Sequence, residues 1–139
     1  MLAWPALAAP ALQIVNAAAR ETEDGPPMVK GSSFLPGETV YYSFQIAGYG
    51  EGPVKKIRLS YRIEATDPRG VRIAEPIESV FDASLHDEDK QWQPKLRAGI
   101  ALPAVAPSGI YKISTLVTDD ISHLTAASEI NVQVTGHDV

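Results

Sequence analysis

Residues able to carry out catalysis are present in this sequence, but their spacing forms no recognisable active site. Cysteine is absent, which excludes thiolate nucleophiles, thioesters, disulfides and cysteine metal ligands. No Gly-x-Ser-x-Gly elbow, P-loop or Gly-x-Gly-x-x-Gly motif occurs. Acidic residues are frequent, yet a glycosidase pair is defined by the distance between two carboxylates, which sequence spacing does not give. We therefore expect a protein that is not an enzyme and that holds no cofactor.

Metal ligation is the second kind of chemistry that these residue types allow. The histidines His86, His123 and His137 have no partner at short spacing, whereas a zinc site needs at least about three converging protein ligands. The acidic loop 82–89 and the pair Asp119-Asp120 carry oxygen ligands of the kind that calcium accepts. Calcium requires roughly six to eight converging oxygens, and no EF-hand spacing is present. Two interpretations of the loop stay open, a calcium site and a solvated loop, and we predict no metal site.

A row of basic side chains offers a third chemistry, the binding of anions. Lys56, Arg58 and Arg62 alternate with apolar residues, so they share one face of a predicted strand. The row is either an anion-binding or partner-docking stripe or a solvated sheet face whose charges discourage aggregation. The whole chain has 12 basic and 17 acidic residues, a net charge of −5, which disfavours nucleic acid as a main partner.

Three aromatic residues fall where a partner would reach them. Tyr41, Tyr49 and Trp92 occupy outward or loop positions, and exposed aromatic platforms hold sugars or protein partners in many sandwich modules. Trp92 has an alternative, in which its loop folds back onto the sheet. Tyr61 and Tyr111 are predicted core residues, with the Tyr111 hydroxyl bonding across a corner as in Ig-like folds.

The elements that must position these residues are β-strands. Between Val40 and Ile46 apolar side chains alternate with Tyr41, Ser43 and Gln45, which predicts one buried and one outer face. The predicted strands cover residues 12–17, 34–47, 55–66, 71–73, 77–83, 96–102, 110–118 and 126–134. Seven to nine short strands separated by turns predict an all-β sandwich or barrel.

The length of 139 residues corresponds to one domain, which we place at residues 12–135 with a C-terminal tail at 136–139. Residues 1–11 are apolar and contain Ala6-Leu7-Ala8, a small-x-small pattern typical of signal-peptidase sites. They are predicted to be the remnant of a secretory signal or, alternatively, an N-terminal arm. Such an arm, or a sheet edge, would allow a homodimer by strand addition. No segment is long and apolar enough to span a bilayer.

Three motifs, in the same order, resemble those of macroglobulin-type domains. They are the strand entry Phe34-Leu-Pro-Gly-Glu-Thr-Val40, the turn Asp67-Pro68-x-Gly70 and the late strand entry Pro107-Ser-Gly109-Ile-Tyr111. The resemblance covers residues 32–134 and implies an Ig-like, macroglobulin-like β-sandwich of seven to nine antiparallel strands, located in the periplasm or secreted. It does not imply the macroglobulin trap, which needs a thioester cysteine that this chain lacks.

We favour a non-catalytic exported module that interacts with a protein partner, with Tyr41, Tyr49, Trp92, Lys56, Arg58 and Arg62 as its candidate surface. The alternatives are a structural spacer domain of a larger surface assembly and a module that binds carbohydrate or calcium. A binding module predicts an exposed aromatic or apolar patch of several hundred Å². A spacer predicts exposed apolar residues only at the two ends of the sandwich.

Overall fold

A computed structural model describes residues 12–28, 32–50, 56–85 and 92–136. The predicted features at 1–11, 87–89 and 137–139, with His86 and His137, lie outside these residues. Among the described residues there is no helix, and all regular structure is β-strand. The strands are β1 (Gln13–Arg20), β2 (Thr39–Ala47), β3 (Lys56–Thr66), β4 (Ile77–Ser84), β5 (Lys95–Ala101), β6 (Gly109–Asp119) and β7 (Thr125–Val134).

The strands form two antiparallel sheets that pack as a sandwich. One sheet has three strands in the order β1-β2-β5, and the other has four in the order β4-β3-β6-β7. This confirms the predicted all-β sandwich, with seven strands. The predicted return strand at 71–73 is wrong, because Arg72 makes only a single bridge to Thr66 and the return strand begins at Ile77. Among the described strands, the edge strands are β1 and β5 in one sheet and β4 and β7 in the other, and Phe34 bridges the last residue of β7.

The core lies between the sheets and is built by the alternation that the sequence shows. Val40, Tyr42, Phe44 and Ile46 are at most 1% exposed, as predicted. Each such side chain contributes about 1.5–3 kcal/mol by leaving water, before the entropy of ordering is subtracted. The alternation places Ser43 on the outer face near water, but Ser43 is buried because Arg20 from β1 lies over it and donates a hydrogen bond to its hydroxyl.

A polar contact in the core joins the two sheets. The Tyr42 hydroxyl on β2 and the Thr115 hydroxyl on β6 are hydrogen-bonded at 2.6 Å, and both side chains are buried. Burial raises the pKa of the Tyr42 phenol, so the phenol keeps its proton at neutral pH. A hydroxyl pair of this kind satisfies two polar groups that would otherwise be costly to bury.

Two predicted corner motifs form as their residue types require. The Asp67 carboxylate accepts the backbone N–H groups of Arg69 at 2.8 Å and Val71 at 3.0 Å, which closes the β3–β4 turn. The Tyr111 hydroxyl donates to the Pro107 carbonyl at 2.7 Å, which is the predicted bond across a corner. These contacts fix the end of the sandwich at which β3 ends and β6 begins.

A β-bulge in β1 decides which side chains of that strand face outward. Asn16 has a φ of 55°, and the register with β2 shifts between Val15 and Ala18. The extra residue changes the parity of the strand. Before the bulge the even-numbered residues Leu12 and Ile14 face the core, and after it the odd-numbered residues Ala17 and Ala19 do. The next residue, Arg20, therefore lies on the outer face.

Candidate functional site

The outer face of the β1-β2-β5 sheet, called here the three-stranded face, collects basic and aromatic side chains from all three strands. Tyr41 in β2 lies between Arg20 of β1 and Gly99 of β5, its two partners in the ladder. One step along β5, Arg97 lies opposite Ser43, and one further step places Lys95 opposite Gln45. Because alternate residues of a strand share a face, Lys95, Arg97 and Gly99 all point the same way.

These residues border a cleft of about 220 Å³, called here the Tyr41 cleft. Its lining residues are Arg20, Glu23, Tyr41, Tyr42, Ser43, Lys95, Arg97, Ala98 and Gly99. Three of them are basic and one is acidic, so the lining carries a formal charge of 3 − 1 = +2. The whole chain carries −5, so the positive charge of this surface is local.

The cations of the Tyr41 cleft are poorly neutralised. Among the described residues, Arg20 and Lys95 form no ion pair, and Arg20 donates to the neutral Ser43 hydroxyl. Arg97 lies 3.4 Å from a carboxylate oxygen of Asp24, whose side chain is 88% exposed. An ion pair in such contact with water contributes little, so Arg97 stays available to a ligand.

The outer face of the four-stranded sheet, called here the four-stranded face, contains the predicted basic row. Arg62 contacts Glu64 at 2.7 Å and Glu78 at 2.8 Å. Arg58 lies 3.6 Å from Asp82 and 3.4 Å from Asp120. The two arginines are thus matched by carboxylates from their own sheet, which favours the interpretation of a solvated, self-neutralised face over an anion-binding stripe.

Glu64 is the centre of this network. Its Oε1 atom accepts hydrogen bonds from Arg62 at 2.7 Å and from Arg72 at 2.9 Å. The Arg62 hydrogen bond, helped by Arg72, lowers the pKa of Glu64 below its usual value. Lys56, the third member of the predicted row, is exposed at the start of β3 and forms no ion pair with any described residue.

The other two candidate aromatics lie together at the end of the sandwich where β2 ends and β5 begins. The Tyr49 hydroxyl donates to the Trp92 carbonyl, and the Trp92 ring packs against Phe81 of β4 with ring centroids 5.9 Å apart. Tyr49 also packs against the core. Trp92 therefore folds back onto the β4 edge, although 40% of it remains exposed. The structure brings neither residue to the Tyr41 cleft.

At the same end of the sandwich, Asp119 and Asp120 are already engaged by the protein. The buried Asp119 carboxylate accepts the backbone N–H groups of Gly50, Ile121 and Ser122. Asp120 accepts the Ser60 hydroxyl at 2.6 Å. Within the described part of the chain, no three His, Cys, Asp or Glu residues converge on a point where a metal ion would bind.

The residues that complete the Tyr41 cleft were not recognised from the sequence. Alternation along β5 was a usable signal for Lys95, Arg97 and Gly99, because they follow one another at a spacing of two. Their meeting with Tyr41 depends on the pairing of β2 with β5, two strands separated by β3 and β4 in the chain. Sequence alone does not give that pairing.

The described residues contain no helix of the length and apolar character needed to cross a membrane.

Comparison with known proteins leaves the family open, since no family model matches the chain and no curated protein sequence matches it. Among solved structures it is similar to the Pseudomonas fluorescens alkylpurine DNA glycosylase AlkC bound to DNA with an abasic site analogue, at 13% identity and a TM-score of 0.47. That match covers 88% of this chain but only 30% of the glycosylase.

Two smaller structures match over most of their length. One is a CARDB domain from Pyrococcus furiosus in complex with di-metal ions, at 12% identity and a TM-score of 0.40, with 90% of this chain and 86% of that one covered. The other is a conjugative transposon lipoprotein from Bacteroides eggerthii, at 11% identity and a TM-score of 0.40, with 87% and 95% covered. At these identities and TM-scores no function is transferred to this chain.

Proposed function

We propose that this chain is a non-catalytic, extracytoplasmic β-sandwich module that binds an anionic partner through the three-stranded face. The observation that carries the proposal is the Tyr41 cleft, where Arg20, Lys95 and Arg97 surround an aromatic side chain with little neutralisation. Cations that share a face without neutralisation repel one another, and a bound anion relieves that repulsion. The four-stranded face shows that this sequence can match its arginines with carboxylates elsewhere.

A binding role, without catalysis, agrees with the groups that line the Tyr41 cleft. Arginine and lysine are permanently charged at neutral pH and act as donors to anions. The Tyr42 phenol, which has a raised pKa and bonds Thr115 inside the core, is a poor base. Binding and positioning are the chemistry that remains for such a group of side chains.

The extracytoplasmic location and the macroglobulin-type assignment are supported by the sequence motifs. The turn at Pro36-Gly37, where Gly37 has a φ of 84°, and the Asp67 turn adopt backbones suited to their residues. The location is tested by intact mass after expression in a strain with a working export pathway. Removal of residues up to about Ala8 is expected, whereas an intact N-terminus would contradict export.

The binding surface is tested by a matched pair of variants, K95Q and K56Q. Each removes one exposed lysine at the first position of a strand, but Lys95 borders the Tyr41 cleft and Lys56 lies in the other sheet. Purified protein is incubated with cell envelopes of the organism that produces it and then sedimented. The wild-type chain and K56Q should co-sediment to the same extent, and a smaller fraction of K95Q should sediment. Equal behaviour of the two variants, or no sedimentation of the wild type, would contradict the proposal.

A spacer role is the second candidate, because most of the large exposed apolar side chains lie at the ends of the sandwich. Leu35, Val71 and Val105 are on turns at the end where β3 and β5 finish, and Val105 is 91% exposed. Apolar residues at an end suit contact with a neighbouring domain. In the sedimentation assay, loss of binding in V105K with full binding in K95Q would favour the spacer.

A further inference from the structure

Gly99 is unusual because no backbone requirement explains a glycine at its position. It lies inside β5, where the pairing with β2 runs without a register shift from Lys95 to Ala101. It is not among the glycines with a positive φ. A Cβ added there would meet only Thr39 Cγ2, at 3.5 Å, which is ordinary contact. A Cβ is therefore tolerated at this position, and β-branched residues suit a strand better than glycine does.

A glycine in a strand interior weakens the strand and often marks a place where a ligand approaches the backbone closely. Gly99 borders the Tyr41 cleft and lies directly opposite Tyr41 in the ladder. Its missing side chain leaves open the space beside the tyrosine. The glycine is therefore explained by the cleft, since neither turn geometry nor close packing calls for it.

The charges are arranged to one side of this open space. Arg97 and Lys95 precede Gly99 along β5 at steps of about 7 Å, which is the distance between alternate residues of a strand. Arg20 lies on the other side of Tyr41, about 5 Å away across the ladder. A ligand resting beside Tyr41 above Gly99 would thus have Arg97 and Lys95 next to it along β5, with Arg20 beyond the tyrosine on β1.

We propose that the Tyr41 cleft binds an acidic sugar, a single ring that rests against Tyr41 above Gly99 and carries a carboxylate or sulfate toward Arg97 and Lys95. This rests on the proposed function. Arginine matches the geometry of a carboxylate or sulfate with two donors, and the aromatic ring covers the apolar face of the sugar.

The dimensions and position of the cleft favour a sugar over an acidic peptide. Its volume of about 220 Å³ lies below the roughly 300–1,000 Å³ of pockets for drug-sized ligands and suits one ring. It lies on a sheet face where β2 is hydrogen-bonded on both sides, so an extended peptide cannot pair with β2, and a peptide added to the edge of β5 would lie beside the cleft and not in it. A flexible acidic side chain would also leave Tyr41 without a partner.

The test uses isothermal titration calorimetry with ligands in matched pairs. A panel of uronate and sulfated oligosaccharides is compared with the neutral counterparts, methyl esters and unsulfated chains of the same length, and with hexa-aspartate. The acidic sugars should bind, at least about tenfold more tightly than their counterparts, because each charged contact is lost in the neutral ligand. Equal binding of a neutral counterpart, or binding of hexa-aspartate alone, would overturn the proposal.

The variant G99V separates the cleft from the stability of the fold. Valine at this position should fill the space beside Tyr41 and abolish binding, while the thermal unfolding midpoint stays the same or rises. Retained binding in folded G99V would overturn the proposal. If no sugar binds but the envelope sedimentation still depends on Lys95, the ligand class is wrong and the proposed function stands. If the sedimentation does not depend on Lys95 either, the ligand class and the proposed function are both wrong.

Discussion

Two strands of this protein begin with almost the same residues, and their cations meet different numbers of carboxylates. β3 opens with Lys56-Ile57-Arg58 and β5 with Lys95-Leu96-Arg97. In both, the apolar residue enters the core and the two cations face outward. Arg58 then meets two carboxylates, whereas Arg97 meets a single, highly exposed one.

The difference follows from the place of each strand in its sheet. β3 is an inner strand, so Arg58 receives Asp82 from β4 on one side and Asp120, just after β6, on the other. In the described part of the chain β5 is an edge strand, and its one neighbour, β2, places Ser43 opposite Arg97 and Gln45 opposite Lys95. A basic residue in a strand is therefore neutralised or left available by its cross-strand neighbours.

Reversing both pairs of charges gives the strongest test of the difference between the two faces. The K95E/R97E variant should lose about a hundredfold in affinity for an acidic ligand, because two charged contacts become repulsive. The K56E/R58E variant should bind within about twofold of wild type. Its thermal midpoint should instead fall below that of K95E/R97E, because the glutamate that replaces Arg58 would lie between Asp82 and Asp120. Calorimetry and thermal unfolding of both variants check the two effects, and equal losses of affinity would contradict the assignment of the faces.

The two faces share one core, so damage to the core should affect stability and leave the difference between the faces intact. Replacing Tyr42 with phenylalanine leaves the buried Thr115 hydroxyl without its partner, at a cost of about 1–3 kcal/mol in unfolding free energy. Although Tyr42 is among the residues that line the Tyr41 cleft, its hydroxyl is bonded to Thr115 inside the core, so ligand binding by folded Y42F should match wild type. Urea unfolding measures the loss, and the double variant Y42F/T115V should recover much of it. No recovery would mean that packing, and not the hydrogen bond, explains the loss.

Much of the fold follows from the sequence because strand alternation is a local property. The alternation in β2 identified four core residues, and the turn chemistry of Asp67 and the corner at Tyr111 formed as expected. The Tyr41 cleft did not follow. It depends on the pairing of strands distant in the chain and on the bulge at Asn16. Strict alternation from Leu12 would have placed Arg20 in the core, and the bulge reverses that.

A smaller change should make the three-stranded face resemble the four-stranded face. Gln45 lies opposite Lys95 and is half-buried on the same face, with its amide bonded to Asn16 and to the Gln93 carbonyl. Q45E keeps an acceptor for Asn16 and gives Lys95 the cross-strand carboxylate that it lacks. An opposite-charge pair across a ladder contributes roughly 0.2–1 kcal/mol, so acidic ligands should bind up to about fivefold more weakly. The loss should shrink as salt is added. Titrations at two salt concentrations measure it, with Q45N as the neutral control, and a Q45E affinity equal to that of Q45N would contradict the role of Lys95.

The smallest expected effect concerns the pH dependence of the four-stranded face. The pKa of Glu64 is lowered from its usual 4.5, first by the Arg62 hydrogen bond. The unfolded chain therefore takes up the proton more readily, and the carboxylate stabilises the fold above pH 4.5. That contribution is lost as the pH falls through the lowered pKa. E64Q should be slightly less stable than wild type near neutral pH, and the difference should disappear in acid.

Urea unfolding of both proteins across the acid range tests this, with L116A as a control on the same face. Leu116 carries no charge and is 48% exposed, so any effect of L116A should be independent of pH. A constant difference between E64Q and wild type would show that the carboxylate acts by packing and does not neutralise Arg62 and Arg72. A difference that disappears in acid would establish this neutralisation in solution. Neutralisation by the protein's own carboxylates is the property that separates Arg58 and Arg62 from Arg20, Lys95 and Arg97. The arginines and the lysine of the Tyr41 cleft would then be more available to a ligand than Arg58 and Arg62.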